Sequence, residues 1–323
     1  ALAVVLCRAG HEVRLWGHDP TYTEEIARTR RNPRYLPGAI LPDAIAVGHD
    51  AARALHGTEV VLAAVPTQHV RTTLSGMAAD LAGSPAIVSL SKGLEQASGK
   101  RPSQVIGEVL SAVGARVPIL VLSGPSHAEE LALGLPATVV LAGETEQEKL
   151  TAALQASLST PELRVYRNAD MLGVELCGAL KNVMALAAGI ADGLGFGDNA
   201  KAAVLARGVV EMARFGVAEG ARRDTFYGLA GVGDLAVTAF SRHGRNRAFG
   251  ERIGRGESVD SILATTRKVA EGVWTASAVR QRAARLGIEM PLCEAVCRVL
   301  YEGMPPRAAV TELMARDYKD EAH

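Results

Sequence analysis

Aromatic side chains and net charge are both scarce in this 323-residue chain. Phe, Trp and Tyr make up only 4% of the residues, too few for the stacking platforms that bind single-stranded nucleic acid. Lys and Arg total 35, and Asp and Glu also total 35, so the formal net charge is zero. Because a nucleic-acid or anionic-membrane surface needs excess positive charge, the composition predicts neither partner.

Cysteines and long apolar runs are also few. Four cysteines are scattered through apolar, helix-like segments, and no Cys or His pair at zinc-binding spacing accompanies them. We therefore expect reduced core thiols, no metal site and a cytoplasmic protein. No apolar stretch reaches the roughly 18 residues that span a bilayer, so no membrane insertion is predicted. The 48% hydrophobic content is that of a globular chain.

Short β-branched runs alternate with helical patterns in the first half of the chain. "TEVVLAAV", "AIVSLSKG" and "PILVLSGP" are strand-like, and "ATVVLAGE" and "LRVYRN" follow further on. Such alternation predicts βαβ units in a mostly parallel sheet, whose ligands lie at the carboxyl ends of the strands. Strand patterns nearly vanish after Gly173, where Ala- and Leu-rich helical segments begin. We therefore predict two domains, an α/β domain over residues 1–172 and an all-helical substrate domain over residues 173–323.

The first twenty residues have the pattern of a nucleotide-binding unit from its first helix to its second strand. In such a unit a glycine-rich turn precedes the helix, and an acidic residue follows about 20 positions later. Counting back from Asp19 places that turn at or before Ala1, so we expect the chain as given to begin inside the first helix. An ordinary buried helix and strand explain the segment equally well. Asp19 with Pro20 favours a helix cap, and His18 could contact a 2′-phosphate, so NAD and NADP both stay open.

Two loops that follow predicted strands carry candidate binding residues. Lys92 in "SLSKGLE" would point into the usual ligand crevice, although a solvated loop lysine is the simpler interpretation. In "SGPSHAEEL", Gly124 predicts a tight turn, and Ser126 with Glu129 has the spacing of a capping box. The N–H groups at such a helix start can bind an anion. His127 is a weaker candidate for a general base, since a loop histidine is more often simply solvated.

A lysine interrupts the longest apolar helical pattern. Lys181 lies within "VELCGALKNVMALAAGIADGLG", apolar for about a dozen residues on both sides. Burying a lysine is costly unless it has a partner or a task. Burial also lowers its pKa, which can make it a general base near neutral pH, and a nearby Lys92 would act in the same direction. The alternative is a side chain that extends along its stem to the surface, but the surroundings favour function.

Three polar segments follow in the helical half. Asp234, after the glycine turn "LAGVGD", is predicted to be either a helix cap or a partner for a lysine. The basic segment 242–247 contains Arg245 beside Asn246, a pairing that suits a phosphate, although a solvated basic loop explains it as well. Glu271 in "KVAEGVWTA" could accept hydrogen bonds from ribose hydroxyls or a nicotinamide amide, or could be a surface residue.

Together these segments resemble the bacterial NAD(P)-dependent glycerol-3-phosphate dehydrogenase family. The matching strings, in the family's order over essentially the whole chain, are "GHEVRLWGHDP", "YLPG", "SKGLE", "SGPSHAEELALGLPA", "ELCGALKNVMALAAGIADGLGFGDNAKAA", "FYGLAGVGDL", "GRNRAFG" and "VAEG". The resemblance implies a Rossmann-type, mostly parallel sheet domain, here lacking its first strand, followed by an all-α C-terminal domain.

The resemblance also implies the roles of individual residues. Lys181 becomes the proton acceptor for the C2 hydroxyl of sn-glycerol 3-phosphate. The substrate-binding residues become Lys92, Gly124, Ser126, Asp234, Gly244, Arg245 and Asn246. The cofactor-binding residues become His18, Asp19, Tyr35, Lys92, Ala128, Arg245, Val269 and Glu271.

Two departures from the family pattern stand out. The family's glycine-rich loop, G-A-G-x-[WY]-G-T, is expected immediately before Ala1 and is absent from the sequence given. The family usually has Ser or Thr before the Arg-Asn pair, where this chain has Gly244. A side-chain hydroxyl contact to the substrate is therefore expected to be lost there, although a backbone N–H could remain.

The sequence therefore predicts an oxidoreductase that interconverts sn-glycerol 3-phosphate and dihydroxyacetone phosphate with NAD or NADP and supplies glycerol 3-phosphate for phospholipid synthesis. A small-molecule substrate is the expected partner, and a homodimer is allowed. One alternative is a related two-domain dehydrogenase of a 3-hydroxy acid. The other is a non-catalytic dinucleotide-binding protein. Absence of the glycine-rich loop would favour this alternative if the native protein also lacks the loop.

Overall fold

The first half of the chain largely alternates short strands and helices, as the sequence predicts. Three short strands within residues 31–48 were not predicted, and they follow one another with no helix between them. The computed structural model describes residues 1–241, 243–265, 270–318 and 320. Its strands are β1 (Arg14–Trp16), β2 (Arg31–Asn32), β3 (Leu36–Ile40), β4 (Ala46–Gly48), β5 (Val61–Ala63), β6 (Ile87–Ser89), β7 (Ile119–Ser123), β8 (Ala137–Ala142) and β9 (Leu163–Asn168). The helices among them are α1 (Leu2–Arg8), α2 (Pro20–Thr29), α3 (Ala51–Leu55), α4 (Val70–Ser75), α5 (Ala78–Leu81), α6 (Pro102–Ala112), α7 (Ala128–Ala132) and α8 (Glu148–Leu158).

The main sheet has five strands in the order β5-β6-β7-β8-β9. Pairing is parallel except between β7 and β8, which run antiparallel. Strands β1 and β4 form a parallel pair, and β2 and β3 an antiparallel one. All three residues of β6 are buried, because helices and neighbouring strands cover a parallel strand on both faces. The prediction of a mostly parallel sheet is confirmed, with one antiparallel neighbour.

The second half is helical, and in the described part of the chain no strand follows β9. Its helices are α9 (Met171–Gly193), α10 (Asp198–Ala218), α11 (Asp234–Phe240), α12 (Arg245–Gly254), α13 (Val259–Thr265), α14 (Glu271–Leu286), α15 (Pro291–Tyr301) and α16 (Pro306–Met314). Nearly every residue of α9 is buried, because α10, α11, α12 and α14 pack around it. An apolar helix that is hydrophobic on all faces belongs in this central position.

By length and composition alone, α9 is long and apolar enough to cross a membrane. The expectation that the chain holds no such stretch is therefore wrong. In the fold, 94% of that stretch is buried by the rest of the chain, which is the setting of a core helix. Its two buried charged side chains, Glu175 and Lys181, are tolerated there because both have hydrogen-bonding partners.

Two glycine pairs bring α9 and α12 unusually close. Each helix carries a G-x-x-x-G pair, at Gly189 and Gly193 in α9 and at Gly250 and Gly254 in α12. A Cβ at any of the four would overlap a backbone carbonyl of the facing helix. Glycine therefore lets the backbones touch, which fixes α12 and its N-terminal Arg245 against the core helix.

Candidate active site

A buried carboxylate lies between two lysines beyond the ends of strands β6 and β7. Asp234, the first residue of α11, accepts a hydrogen bond from Lys181 Nζ on one oxygen at 2.6 Å and from Lys92 Nζ on the other at 2.8 Å. Lys92 also donates to the carbonyl oxygen of Gly124 at 2.9 Å. Asp234 is 2% exposed and Lys181 is 6% exposed, whereas the Lys92 side chain is 22% exposed. The structure thus brings together four residues that the sequence singled out.

The backbone that leads to Asp234 forms a π-helical turn, Leu229–Gly233. A Cβ at Gly231 would overlap the carbonyl oxygen of Phe226, so this close approach requires glycine. An i→i+5 turn inserts one residue into the helical repeat and so determines the face on which Asp234 emerges. Of the two predictions for Asp234, the structure shows the lysine partner: Asp234 is the first residue of α11, and the cap position before it is occupied by Gly233.

Lys181 has a second polar partner that sequence reasoning missed. Its Nζ donates to the hydroxyl of Thr238 at 2.7 Å, and that hydroxyl donates to the Asp234 carbonyl oxygen at 2.6 Å. Thr238 lies one helical turn after Asp234 on α11, so the i, i+4 spacing was the available signal. With two oxygen partners, the ammonium group is held in one orientation rather than extending to the surface.

The charges around Lys181 prepare it for proton transfer. Burial is the largest influence on its pKa and lowers it, Asp234 opposes this effect, and the cations Lys92 and Arg245 lower it further, giving about 8. For Asp234, burial alone would raise the pKa, but Lys181 and Lys92 outweigh burial and hold that pKa below its ordinary value. The site therefore combines an ionised carboxylate with a lysine that can exchange its proton near neutral pH.

A chain of amide side chains connects this centre to α12 and α14. Asn182 donates to the carbonyl oxygen of Lys92 at 2.8 Å, and Asn246 donates to the side-chain oxygen of Asn182 at 2.9 Å. The Asn246 oxygen accepts the N–H of Gly272 at 3.0 Å. Both polar atoms of the Asn246 side chain thus have partners inside the protein, which fixes the side chain, and its backbone N–H in the first turn of α12 is a further donor for a ligand. Asn182 was missed, although it is adjacent to Lys181 in the sequence.

Two arginines in the first turn of α12, Arg245 and Arg247, have different surroundings. Arg247 binds Asp192 at 3.1 Å and Glu251 at 2.8 Å, so its charge is already compensated. Arg245 is exposed and forms no hydrogen bond or ion pair with the described residues. Arg245 is the first residue of α12, whose first N–H groups have no partner within the helix. This end of α12 therefore offers a cation and backbone donors to an anion.

Gly244 caps α12 with extended backbone and is buried. A Cβ at this position would overlap the carbonyl oxygen of Thr238. The family's usual Ser or Thr therefore does not fit this backbone without a shift, since α11 and the start of α12 are too close.

The loop after β7 is arranged differently from the predicted capping box. Helix α7 begins at Ala128, and the residue before it, His127, makes no side-chain cap hydrogen bond. Ser126 is one residue too early, and its hydroxyl donates instead to the carbonyl oxygen of Gly124 at 3.0 Å. The capping-box prediction is therefore wrong, because Gly124 adopts a left-handed φ of 121° and the turn extends further before the helix starts. Ala128 is exposed at the first helical position.

The cofactor-binding residues predicted near the N-terminus form a separate group around Tyr22, after β1. Asp19 caps α2 by accepting the Tyr22 N–H at 3.1 Å, as the Asp-Pro pair predicts, and it also faces Arg34 at 3.5 Å. The Tyr35 ring, half exposed, packs edge-on against Tyr22 at 6.2 Å. His18 is exposed beside them.

Glu271, at the start of α14, connects the helical half to the sheet half. One carboxylate oxygen accepts the backbone N–H of Thr67 at 2.9 Å. The other oxygen and the Thr67 hydroxyl are both buried without a hydrogen-bonding partner in the described structure. Burial raises the pKa of Glu271. Val269, predicted beside it, lies outside the described residues, as does Arg242 of the basic segment.

A mostly parallel sheet joined to a helical half, with a lysine-carboxylate centre beyond the strand ends, defines a dinucleotide-dependent dehydrogenase. Residues 1–149 match the family model described as the NAD-dependent glycerol-3-phosphate dehydrogenase N-terminus, and residues 170–311 match that of its C-terminus. The chain belongs to the NAD-dependent glycerol-3-phosphate dehydrogenase family.

Similar proteins cover nearly the whole chain. The chain is 45% identical over 323 residues to a glycerol-3-phosphate dehydrogenase [NAD(P)+] of Chlorobium phaeobacteroides, and the match covers 99% of this chain and 95% of that one. A protein of the same name from Geobacillus kaustophilus is 47% identical over 321 residues, covering 99% and 92%. The crystal structure of the Coxiella burnetii glycerol-3-phosphate dehydrogenase superposes with a TM-score of 0.90 at 37% identity, covering 98% of this chain and 95% of that one.

Proposed function

We propose that the protein interconverts sn-glycerol 3-phosphate and dihydroxyacetone phosphate, with a nicotinamide cofactor as the hydride carrier. The observation that carries this proposal is the buried Lys181, held by Asp234 and Thr238, with a pKa lowered to about 8. When bound, the cofactor accepts or supplies the hydride at the nicotinamide C4.

Lys181 moves the proton in this reaction. In oxidation, its neutral amine takes the proton of the C2 hydroxyl as the hydride leaves C2. In reduction, the protonated amine returns a proton to the carbonyl oxygen and stabilises the charge that develops there. Asp234 holds the ammonium form through its carboxylate, and Lys92 presents a second, more exposed cation to the substrate.

The phosphate group is bound at the start of α12. Arg245 supplies the charge, and the backbone N–H groups of Arg245 and Asn246 supply donors aligned with the helix dipole. Gly244 lacks the hydroxyl usual in the family, so the anchor here depends on the guanidinium and on backbone groups. Gly124 and Ser126 complete the substrate side of the site.

The residues present fit a dinucleotide. The buried oxygen of Glu271 without a partner is an acceptor for a ribose hydroxyl or a carboxamide N–H. Lys92, Ala128 and Arg245 border the site from three parts of the chain. His18 and Asp19 follow β1, where a ribose is bound in such folds, and Tyr35 packs against Tyr22 of the helix that Asp19 caps. Asp19 is engaged as a helix cap, and both NAD and NADP remain candidates.

The test follows oxidation of NADH and of NADPH with dihydroxyacetone phosphate, and with dihydroxyacetone as the substrate without phosphate. Turnover should require the phosphate. Arg245→Ala should raise KM for dihydroxyacetone phosphate about tenfold or more, since hydrogen bonds to charged groups contribute about 1.5–3 kcal/mol. Arg255→Ala removes an exposed arginine from the far end of the same helix and should leave KM unchanged.

Lys181→Ala should lower kcat about 100-fold or more while cofactor binding is retained. Unchanged turnover would remove Lys181 from the mechanism. Equal activity without the phosphate, or preference for a 3-hydroxy acid, would favour the related dehydrogenases. Cofactor binding without turnover on any of these substrates would favour a binding protein.

We further propose that the enzyme works in the cytoplasm and supplies glycerol 3-phosphate for phospholipid synthesis, as its family resemblance implies. The four cysteines are unpaired, which is consistent with a reducing compartment. A domain boundary near residue 172 and a homodimer are part of the same proposal. Limited proteolysis and light scattering test these two points directly.

A further inference from the structure

A second buried carboxylate, Glu175, connects the two halves of the molecule away from the lysine pair. Its side chain lies on α9 and is 3% exposed. One oxygen accepts the backbone N–H of Ser103 at 2.8 Å, and the other accepts the Ser103 hydroxyl at 2.6 Å. Arg101 also donates to Glu175. These donors lie at the start of α6, where backbone N–H groups have no partner within the helix.

Glu175 shares one face of α9 with two residues that touch Lys92. Positions 175, 178 and 182 have the spacing i, i+3, i+7, which places them on the same side of a helix. Gly178 packs against the Lys92 stem, since a Cβ there would lie 3.4 Å from Lys92 Cγ. Asn182 donates to the Lys92 carbonyl oxygen at 2.8 Å. Residues 92–103 are therefore held against α9 at both ends, by Asn182 at one and by Glu175 at the other.

This arrangement bears on the catalytic centre, because Lys92 and Lys181 donate to the same carboxylate. Lys181 lies on α9, and Lys92 lies at the beginning of the segment 92–103 that Glu175 holds at its other end. We propose that Glu175 is a positioning residue: by binding the start of α6, it holds residues 92–103 against α9 and so sets the separation of Lys92 from Lys181. The inference rests on the proposed dehydrogenase function.

The proposal has a signature that loss of stability alone would not produce. Among the described residues, the charged or titratable groups that act on Lys181 are Asp234 of α11, Lys92 after β6, Arg245 of α12 and His127 before α7. If Lys92 retreats, Lys181 loses one of the cations that lower its pKa. The pH midpoint of turnover should then rise together with a fall in kcat.

Glu211 on α10 provides a matched control. It is 4% exposed, and its oxygens accept the N–H groups of Leu292 at 2.8 Å and Cys293 at 3.3 Å in the first turn of α15. Both glutamates therefore cap another helix from a buried position. The difference lies in the segment that leads into each helix: residues 92–101, before α6, begin with the site residue Lys92, whereas residues 287–290, before α15, hold none of the proposed site residues.

The experiment compares Glu175→Gln, Ser103→Ala and Glu211→Gln by steady-state oxidation of glycerol 3-phosphate from pH 6 to pH 10. Glu175→Gln should lower kcat about tenfold or more and raise the pH midpoint, because small displacements of catalytic groups are costly. Ser103→Ala removes only one hydrogen bond, so it should also lower kcat and raise the pH midpoint, each by a smaller amount than Glu175→Gln. Glu211→Gln changes an equally buried helix cap and should leave both kcat and the pH midpoint unchanged.

Wild-type kcat and pH midpoint in Glu175→Gln would overturn the proposal, as would wild-type values in Ser103→Ala if Glu175→Gln fails to fold. Competitive acetylation of Lys181 with acetic anhydride, read by peptide mass spectrometry, measures its pKa without turnover. If the wild-type protein shows no turnover, that result contradicts the proposed function, whereas the positioning role of Glu175 is still tested by the pKa of Lys181. A pKa of Lys181 that is the same in Glu175→Gln and in Glu211→Gln would contradict the positioning role.

Discussion

Replacing Asp234 with asparagine removes the charge between the two lysines and keeps the shape of the side chain. In the native site, Lys181 has a pKa of about 8 against an ordinary value of 10.5. At pH 7 it is therefore neutral in about 9% of molecules, whereas an ordinary lysine would be neutral in about 0.03%, a gain of about 300-fold in available base. Asp234 is the main group that resists this lowering.

When Asp234 is removed, the remaining influences on Lys181 (burial, Lys92 and Arg245) all lower its pKa, which should therefore fall below 8. Removing one partner of a buried ion pair costs about 3–5 kcal/mol, and about 1.4 kcal/mol corresponds to one pKa unit. We therefore expect the pH midpoint of the oxidation rate to fall by about two units. In reduction, which needs the protonated amine, the loss of rate with rising pH should also begin about two units earlier.

The assay records kcat against pH in both directions, by the absorbance of NADH or NADPH. Thr238→Val is the control, since it removes the other polar partner of Lys181 without changing the charge, and its midpoint should move much less. A midpoint that stays near pH 8 or rises in Asp234→Asn would refute the assignment of Lys181 as the titrating base.

Three further predictions concern stability and local packing. Burial raises the pKa of Glu211 to about 7. Since the unfolded chain releases this proton near pH 4.5, stability should fall by about 3 kcal/mol as pH rises from about 4.5 to 7, and Glu211→Gln should remove this fall in urea unfolding. Gly231→Ala should lower kcat by displacing Asp234, whereas Gly233→Ala, whose Cβ has no neighbour closer than 3.7 Å, should not; equal rates would contradict the role of the π-turn. Gly250→Ala should cost about 1–3 kcal/mol or more of unfolding free energy by forcing α12 away from α9, while Gly197→Ala, in open space, should cost little in the same assay.

Local patterns accounted for much of the fold. Alternating β-branched runs and helical periods predicted the sheet half, and an apolar pattern on all faces predicted the central helix, because both depend on residues within one element. The Asp19 cap followed from an Asp-Pro pair for the same reason. The capping box at Ser126 was wrong, because the turn at Gly124 delays the start of the helix by one residue. The spacing of residues in a sequence carries no information about backbone φ.

The candidate site was also predictable only in part. Lys181 stood out because a charged residue inside an apolar helix has a free-energy cost that composition alone reveals. The facing glycine pairs of α9 and α12 were also visible as G-x-x-x-G, but which helix each pair would meet was not.

Contacts between distant positions were decided by the tertiary structure. The sequence by itself determined the class of fold and marked the lysine, since propensity and burial act within a segment. Only the folded chain placed Asp234 between Lys92 and Lys181, joined the Asn246 side chain to Asn182 and bound Glu175 to the start of α6. These outcomes depend on how elements 50 to 140 residues apart pack together, and no local pattern contains that information.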